Sequence, residues 1–104
     1  MNENRRPPAA SETIRITLKV FGGLRELRPS AVEDHVVPAQ SSIENLWSLL
    51  EPEAATFVSK LRDGLANGYL HILLNGRNVV FLDGQATILS DGDVVAVLPP
   101  IGGG

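Results

Sequence analysis

The chain contains no cysteine. Disulfides, thiolate metal sites and a cysteine nucleophile are therefore excluded, while the redox compartment stays open. Histidine is nearly as scarce, with only His35 and His71. Each falls in a strand pattern without a second histidine at ligand spacing, so both are expected as sheet residues, and no metal site is expected. No apolar run approaches the roughly 18–20 residues of a membrane span, so no membrane partner is expected. Arg5 and Arg6 are followed by Pro7-Pro8 and polar residues rather than an apolar stretch. That argues against a twin-arginine export signal and leaves the cytoplasm as the default location. Basic residues are in deficit, nine against twelve acidic ones, for a formal net charge of -3. A nucleic-acid binder needs a basic face to neutralise phosphates, so no nucleic-acid partner is expected. The acidic balance points instead to a partially basic protein surface as partner. Gly22-Gly23 is followed by no Gly-Lys-Ser/Thr sequence, which removes a phosphate loop.

What is present describes one globular domain. The 104 residues are 43% hydrophobic and 20% charged, enough to bury a modest core. Residues 1–13 are polar and proline-containing and read as a flexible N-terminal extension. The domain is expected over 14–98, with an extended tail over 99–104. Ile14, Ile16, Leu18 and Val20 alternate with Arg15, Thr17 and Lys19, the period-two signature of a half-buried strand. Gly22-Gly23 and Pro29-Ser30 punctuate a long connection, and a second strand follows at about Asp34–Pro38.

A helix is predicted from Ser41, with Ser41 and Glu44 placed as a capping box. Ile43, Leu46, Trp47 and Leu50 then follow the spacing of one buried stripe. Pro52 cannot continue that helix but can open another. Ala54, Phe57, Val58, Leu61 and Leu65 share the face of this second helix, and Asn67-Gly68 supplies its stop. Leu70–Leu74 reads as a strand, Asn75-Gly76 as a two-residue hairpin turn, and Val79–Leu82 as the returning strand. Asp83-Gly84 and Asp91-Gly92 mark turns. In the second, Asp91 and Asp93 are expected to serve turn geometry rather than a metal. Val94–Leu98 is a continuous apolar run suited to the middle of a sheet, paired in parallel with the first strand. The class is α+β: a mixed four- to five-stranded sheet with helices packed on one face.

The end of the chain, Pro99-Pro100-Ile101-Gly102-Gly103-Gly104, is unusual. The prolines fix φ and favour an extended exit, and the glycines carry no side chain to widen a channel. Four residues beyond Pro100 reach about 13–14 Å when extended. Such a tail can thread a narrow tunnel and present its terminal carboxylate in another protein's active site. Inert fraying is the ordinary explanation of terminal glycines, but the prolines placed directly after a buried strand weigh against it.

These residues resemble the ubiquitin-like β-grasp sulfur carriers (MoaD/ThiS-like), and most closely the small subunit of molybdopterin synthase. The resemblance spans about Ile14–Gly104. It is carried by the first strand with Leu24-Arg25-Glu26-Leu27, by Leu89-Ser90-Asp91-Gly92-Asp93-Val94-Val95, and above all by the Pro-Pro-Ile-Gly-Gly-Gly end. It implies that the chain is not an enzyme but a carrier with no bound cofactor. A ubiquitin-activating-like adenylyltransferase, using ATP, would adenylate the Gly104 carboxylate, and a sulfur donor would convert it to a thiocarboxylate. The large subunit of molybdopterin synthase, or another sulfur-accepting synthase, would take the tail, with Pro99, Pro100, Ile101, Gly102 and Gly103 threading the partner. Phe81 is a candidate for the partner-facing surface, with core packing as its alternative. Carriers for cysteine or thiamine synthesis share much of the pattern. The same end also suits a ubiquitin-like modifier that joins Gly104 to target lysines, and a passive β-grasp interaction domain remains a third reading.

Overall fold

In the computed structural model, which describes residues 12–99, the chain forms five strands and two α-helices. The strands are β1 (Thr13–Val20), β2 (Val32–Pro38), β3 (His71–Leu74), β4 (Arg77–Asn78) and β5 (Val94–Leu98). The helices are α1 (Ile43–Leu50) and α2 (Ala55–Ala66). The expected N-terminal extension, apart from Glu12 and Thr13, and the tail residues 100–104 lie outside the described residues.

The sheet order is β2-β1-β5-β3-β4. β5 is central, parallel to β1 with Leu18 opposite Val95, and antiparallel to β3 with Ile72 opposite Val97. The alternation read from β1 sorts its side chains as expected: Ile16, Leu18 and Val20 are buried, while Arg15 is exposed. From β5 and β3, Val95, Val97, Ile72 and Leu74 join that inner face. Ile43, Leu46, Trp47 and Leu50 of α1 and Phe57, Val58 and Leu61 of α2 complete the core, so both helices cover one side of the sheet. This is the ubiquitin-like β-grasp arrangement. Trp47 is fully buried, and its indole N–H donates to Gln85 Oε1 at 2.9 Å, which satisfies the one polar group a buried tryptophan brings. Arg62 of α2 fastens the helices together through Glu44, Ser48 and Glu51.

Three local expectations change. The capping box is formed by Ser42 and Asn45, not by Ser41 and Glu44. Ser42 Oγ accepts from Asn45 N–H at 3.1 Å, and Asn45 Oδ1 accepts from Ser42 N–H at 2.9 Å. Ser41 is drawn away because its hydroxyl donates to the Pro38 carbonyl at 2.6 Å. The second helix starts at Ala55, after a turn that contains Pro52. The strand expected at Val79–Leu82 ends at Asn78. There Asn78 Oδ1 accepts from Val80 N–H at 3.0 Å and turns Val79–Phe81 into a short 3-10 helix. The Asn75-Gly76 turn is as expected, with φ of 52° and 87° and Leu74 opposite Arg77.

Asp91 and Asp93 spend their carboxylates on turn geometry. Asp91 Oδ1 accepts from Arg15 N–H at 2.9 Å, and Asp93 Oδ2 accepts from Ser90 N–H at 2.8 Å. Asp93 Oδ1 also takes the Asn75 amide, whose own oxygen accepts from Val94 N–H. The start of β5 is thereby tied to both of its neighbours.

At the β2 edge, on the helix side, Glu33 receives Arg28 through two hydrogen bonds of 3.1 and 2.7 Å and contacts His35 Nε2 at 2.9 Å. The Arg28 guanidinium lies 5.1 Å from the centroid of the Phe57 ring. Burial pushes the Glu33 carboxyl up, but hydrogen bonds from Arg28 and His35 outweigh it and hold the group below its ordinary value.

Two outcomes follow. Ser42→Ala should lower the unfolding free energy in urea by about 1 kcal/mol; Ser41→Ala should leave the cap hydrogen bonds, read by amide exchange at Asn45, in place. Because the folded state depresses the Glu33 pKa, its contribution is present at neutral pH and is lost as pH falls through the depressed value. Glu33→Gln should therefore be less stable than the parent chain at neutral pH, with the gap closing on acidification below the ordinary carboxylate value of 4.5. Thermal unfolding across pH for both chains checks this, and a gap that widens in acid contradicts it.

Candidate functional site

The site begins where β5 ends. Val95 and Val97 are fully buried and Leu98 is paired with His71, so the chain is held in the sheet up to the residue before Pro99. Phe21 N–H donates to the Val97 carbonyl at 3.0 Å, which locks the end of β1 beside this exit. Pro99 therefore leaves from the middle of the sheet and not from a fraying edge. It is the one predicted tail residue whose position is described; Pro100, Ile101, Gly102, Gly103 and Gly104 lie outside the described residues.

Beside Pro99 is a groove of about 520 Å³. The 3-10 turn Gly22–Leu27 contributes Leu24 and Leu27, and the segment after α2 contributes Tyr69 and Leu70. Glu26, Lys60 and Asp63 add charge of both signs. The Leu24-Arg25-Glu26-Leu27 segment noted in the sequence is thus one wall of the tail exit.

The outer sheet face carries no helix. Arg15, Thr17 and Lys19 of β1, Val94, Ala96 and Leu98 of β5, and His71 and Leu73 of β3 point to it, and none is buried. Lys19, Ala96 and Leu73 form one cross-strand row. The face has an apolar centre flanked by Arg15, Lys19 and, on β2, Asp34. Its charge differs from that of the chain as a whole, because Glu44, Glu51, Glu53 and Asp63 belong to the helical side.

Phe81 is 80% exposed, which excludes core packing and puts the ring at the surface. β4 runs in the same direction as β5, because β3 is antiparallel to both. The Val79–Phe81 turn that follows β4 therefore lies at the tail-exit end of the sheet, two strands from the exit. Sequence reading missed two companions, Phe21 and Tyr69, which are 46% and 61% exposed. Phe21 directly follows β1 and Tyr69 precedes β3, so topology carries both to that same end. The chain has five aromatic residues. Trp47 and Phe57 are core, and the other three are exposed toward that end of the sheet. The sequence signal for Phe21 and Tyr69 was position, each just outside a strand's apolar periodicity.

His35 and His71 sit on β2 and β3 as expected. His35 contacts Glu33, His71 is exposed, and no group of three or more potential metal ligands occurs among the described residues.

Comparison with known proteins identifies relatives of the chain and of its fold. Residues 18–104 match the model of the ThiS family. Small archaeal modifier protein 3 of Haloferax volcanii is 36% identical over 90 residues, covering 86% of this chain and 98% of that protein. A putative sulfur carrier protein of Archaeoglobus fulgidus is 32% identical over 65 residues, covering 61% of this chain and 74% of its own. Among solved structures, a protein-protein complex of subunits 1 and 2 of molybdopterin-converting factor from Helicobacter pylori contains a similar chain. That chain is 27% identical, with a TM-score of 0.52, covering 88% of this chain and 100% of that one.

An aromatic residue this exposed adds nothing to the core. Phe81→Ala should change the unfolding free energy by no more than about 0.5 kcal/mol. A larger loss in urea denaturation would place the ring in the domain's packing instead.

Proposed function

The chain belongs to the ThiS family, and we propose that it is a sulfur carrier whose reacting group is the C-terminal carboxylate of Gly104. The observation that carries this reading is the mounting of the tail. A Pro-Pro-Ile-Gly-Gly-Gly end follows directly from the central, buried strand of the sheet. A rigid base with a slender end suits delivery into another protein, since only backbone has to pass the channel. The relative named as a putative sulfur carrier supports it as well.

The chemistry divides into two balanced steps. A Gly104 carboxylate oxygen attacks the α-phosphorus of ATP on a ubiquitin-activating-like adenylyltransferase, and pyrophosphate leaves. The acyl carbon now bears AMP, a far better leaving group than oxide. A sulfur donor at the oxidation level of hydrosulfide attacks that carbon, the C–O bond to AMP breaks, and a thiocarboxylate remains. The carrier supplies the reacting terminus and no acid–base group, so it is a protein substrate or a non-catalytic subunit and needs no bound cofactor. Its acceptor is the large subunit of molybdopterin synthase or another sulfur-accepting synthase. The Helicobacter pylori complex supports the first choice. Phe21, Tyr69, Phe81 and the apolar centre of the outer sheet face provide a docking surface around the exit, with Arg15 and Lys19 at its border. The cytoplasm, where ATP and a sulfur relay are at hand, is the expected location.

A second reading has its own support, because the relative of 36% identity is named a modifier. There a lysine amine of a target protein, rather than sulfur, attacks the acyl carbon and forms an isopeptide bond. Intact mass of the protein recovered from its native cell separates the two. A gain equal to one sulfur-for-oxygen exchange at the terminus supports the carrier, and target adducts ending in Gly104 support the modifier. Adding one residue after Gly104 should abolish activation in either case, measured as carrier-dependent ATP–pyrophosphate exchange. Full exchange with the extended chain would exclude both.

A further inference from the structure

Five glycines among the described residues have φ in the left-handed region: Gly22, Gly68, Gly76, Gly84 and Gly92. At four of them a Cβ would meet nothing within 4 Å. Gly22 is the exception. With φ of 80°, its Cβ would lie 3.1 Å from Cγ, 3.3 Å from Cδ and 3.4 Å from Cβ of Pro99. These separations are tighter than the roughly 3.5–4.0 Å of a comfortable carbon–carbon contact. A proline ring is closed onto its own backbone nitrogen and cannot swing aside as a flexible side chain does. Nor can the backbone at Gly22 easily retreat, since the neighbouring Phe21 N–H is bonded to the Val97 carbonyl, two residues before Pro99. A side chain at position 22 would therefore have to displace the first residue of the tail.

We propose that Gly22 is a positioning residue for the C-terminal tail: its bare α-carbon seats the Pro99 ring and thereby sets the direction in which residues 100–104 leave the domain. This rests on the reading of Gly104 as the reacting end. Five residues beyond Pro99 can reach about 16–18 Å, so a small change of direction at the ring becomes a displacement of several ångströms at the carboxylate. The tail has to find a channel mouth in a partner already docked on the domain. Its starting direction governs how often the end is found there, which is an effective-concentration effect. The consequence falls on capture of the tail and not on the chemical step.

The test uses the full chain with its ATP-dependent activating enzyme, read as carrier-dependent ATP–pyrophosphate exchange, with thermal unfolding recorded for every variant. Gly22→Ala is expected to lower kcat/KM about tenfold, mostly through a higher KM for the carrier. Gly92→Ala imposes comparable backbone strain at the opposite end of β5, where a Cβ meets nothing. It should leave kcat/KM unchanged whatever it does to stability. If Gly22→Ala does not fold, Gly22→Asn replaces it, because asparagine tolerates the left-handed region while keeping the Cβ. Pro99→Ala removes the ring atoms that make the two closest contacts. In that background Gly22→Ala should cause no further loss, the coupling expected of a contact that acts through Pro99. Wild-type kcat/KM in both Gly22 variants, an equal loss in Gly92→Ala, or an undiminished Gly22→Ala effect in the Pro99→Ala background would each overturn the role of Gly22 alone. Absence of exchange with the parent chain overturns the reading of Gly104 and the role of Gly22 with it.

Discussion

The position of β5 is the constraint on which the rest of the molecule depends. It lies between β1 and β3, with Val95 and Val97 fully buried beneath the helices, and both of its edges are engaged in ladders. Nothing about a diglycine end is informative unless the end has a fixed origin. A tail hung on an edge strand would inherit the fraying of that edge, whereas one hung on a doubly paired strand starts from a point as stable as the core. The hydrogen bonds of Asp91, Asp93 and Asn75 fix the start of β5, and Phe21 fixes its end.

The two faces of the sheet divide the work. The inner face, covered by α1 and α2, holds the large apolar side chains, and the Arg28–Glu33–His35 cluster closes its β2 edge against Phe57. An arginine that is nearly buried is tolerated there because its guanidinium meets a carboxylate through two bonds and an aromatic face on one side. The outer face carries no helix, and its strand residues are not buried. Its apolar centre lies open, and Phe21, Tyr69 and Phe81 are exposed toward the end of the sheet where Pro99 leaves. The helical side is richer in acidic residues, and its Lys60 and Asp63 line the groove beside Pro99.

Several elements were legible in the sequence because their signals are local. The alternation in β1, the Ile43, Leu46, Trp47 and Leu50 stripe, the Asn75-Gly76 turn and the apolar run of β5 each follow from a few neighbouring residues and elementary geometry. Other features depended on competition. Ser41 and Ser42 are equally good caps by residue type, and the Pro38 carbonyl decided between them by taking the Ser41 hydroxyl. Val79–Leu82 has the composition of a strand, yet the Asn78 side chain offered its backbone an alternative bond and ended the ladder.

The sequence by itself determined an α+β pattern of strands and helices and a glycine-rich stretch following an apolar strand, since periodicity and composition are properties of short windows of chain. It could not place Phe21, Tyr69 and Phe81 at one end of the sheet, because they are far apart along the chain and reach that end only through the directions in which β1, β3 and β4 run. Nor could it assign Gly22 anything beyond a break after β1. A Cβ there would meet Pro99, 77 positions away in sequence, and only the parallel pairing of β1 with β5 brings their ends to one point. Long-range register is what the fold supplies, and it is set by which apolar faces can be buried together.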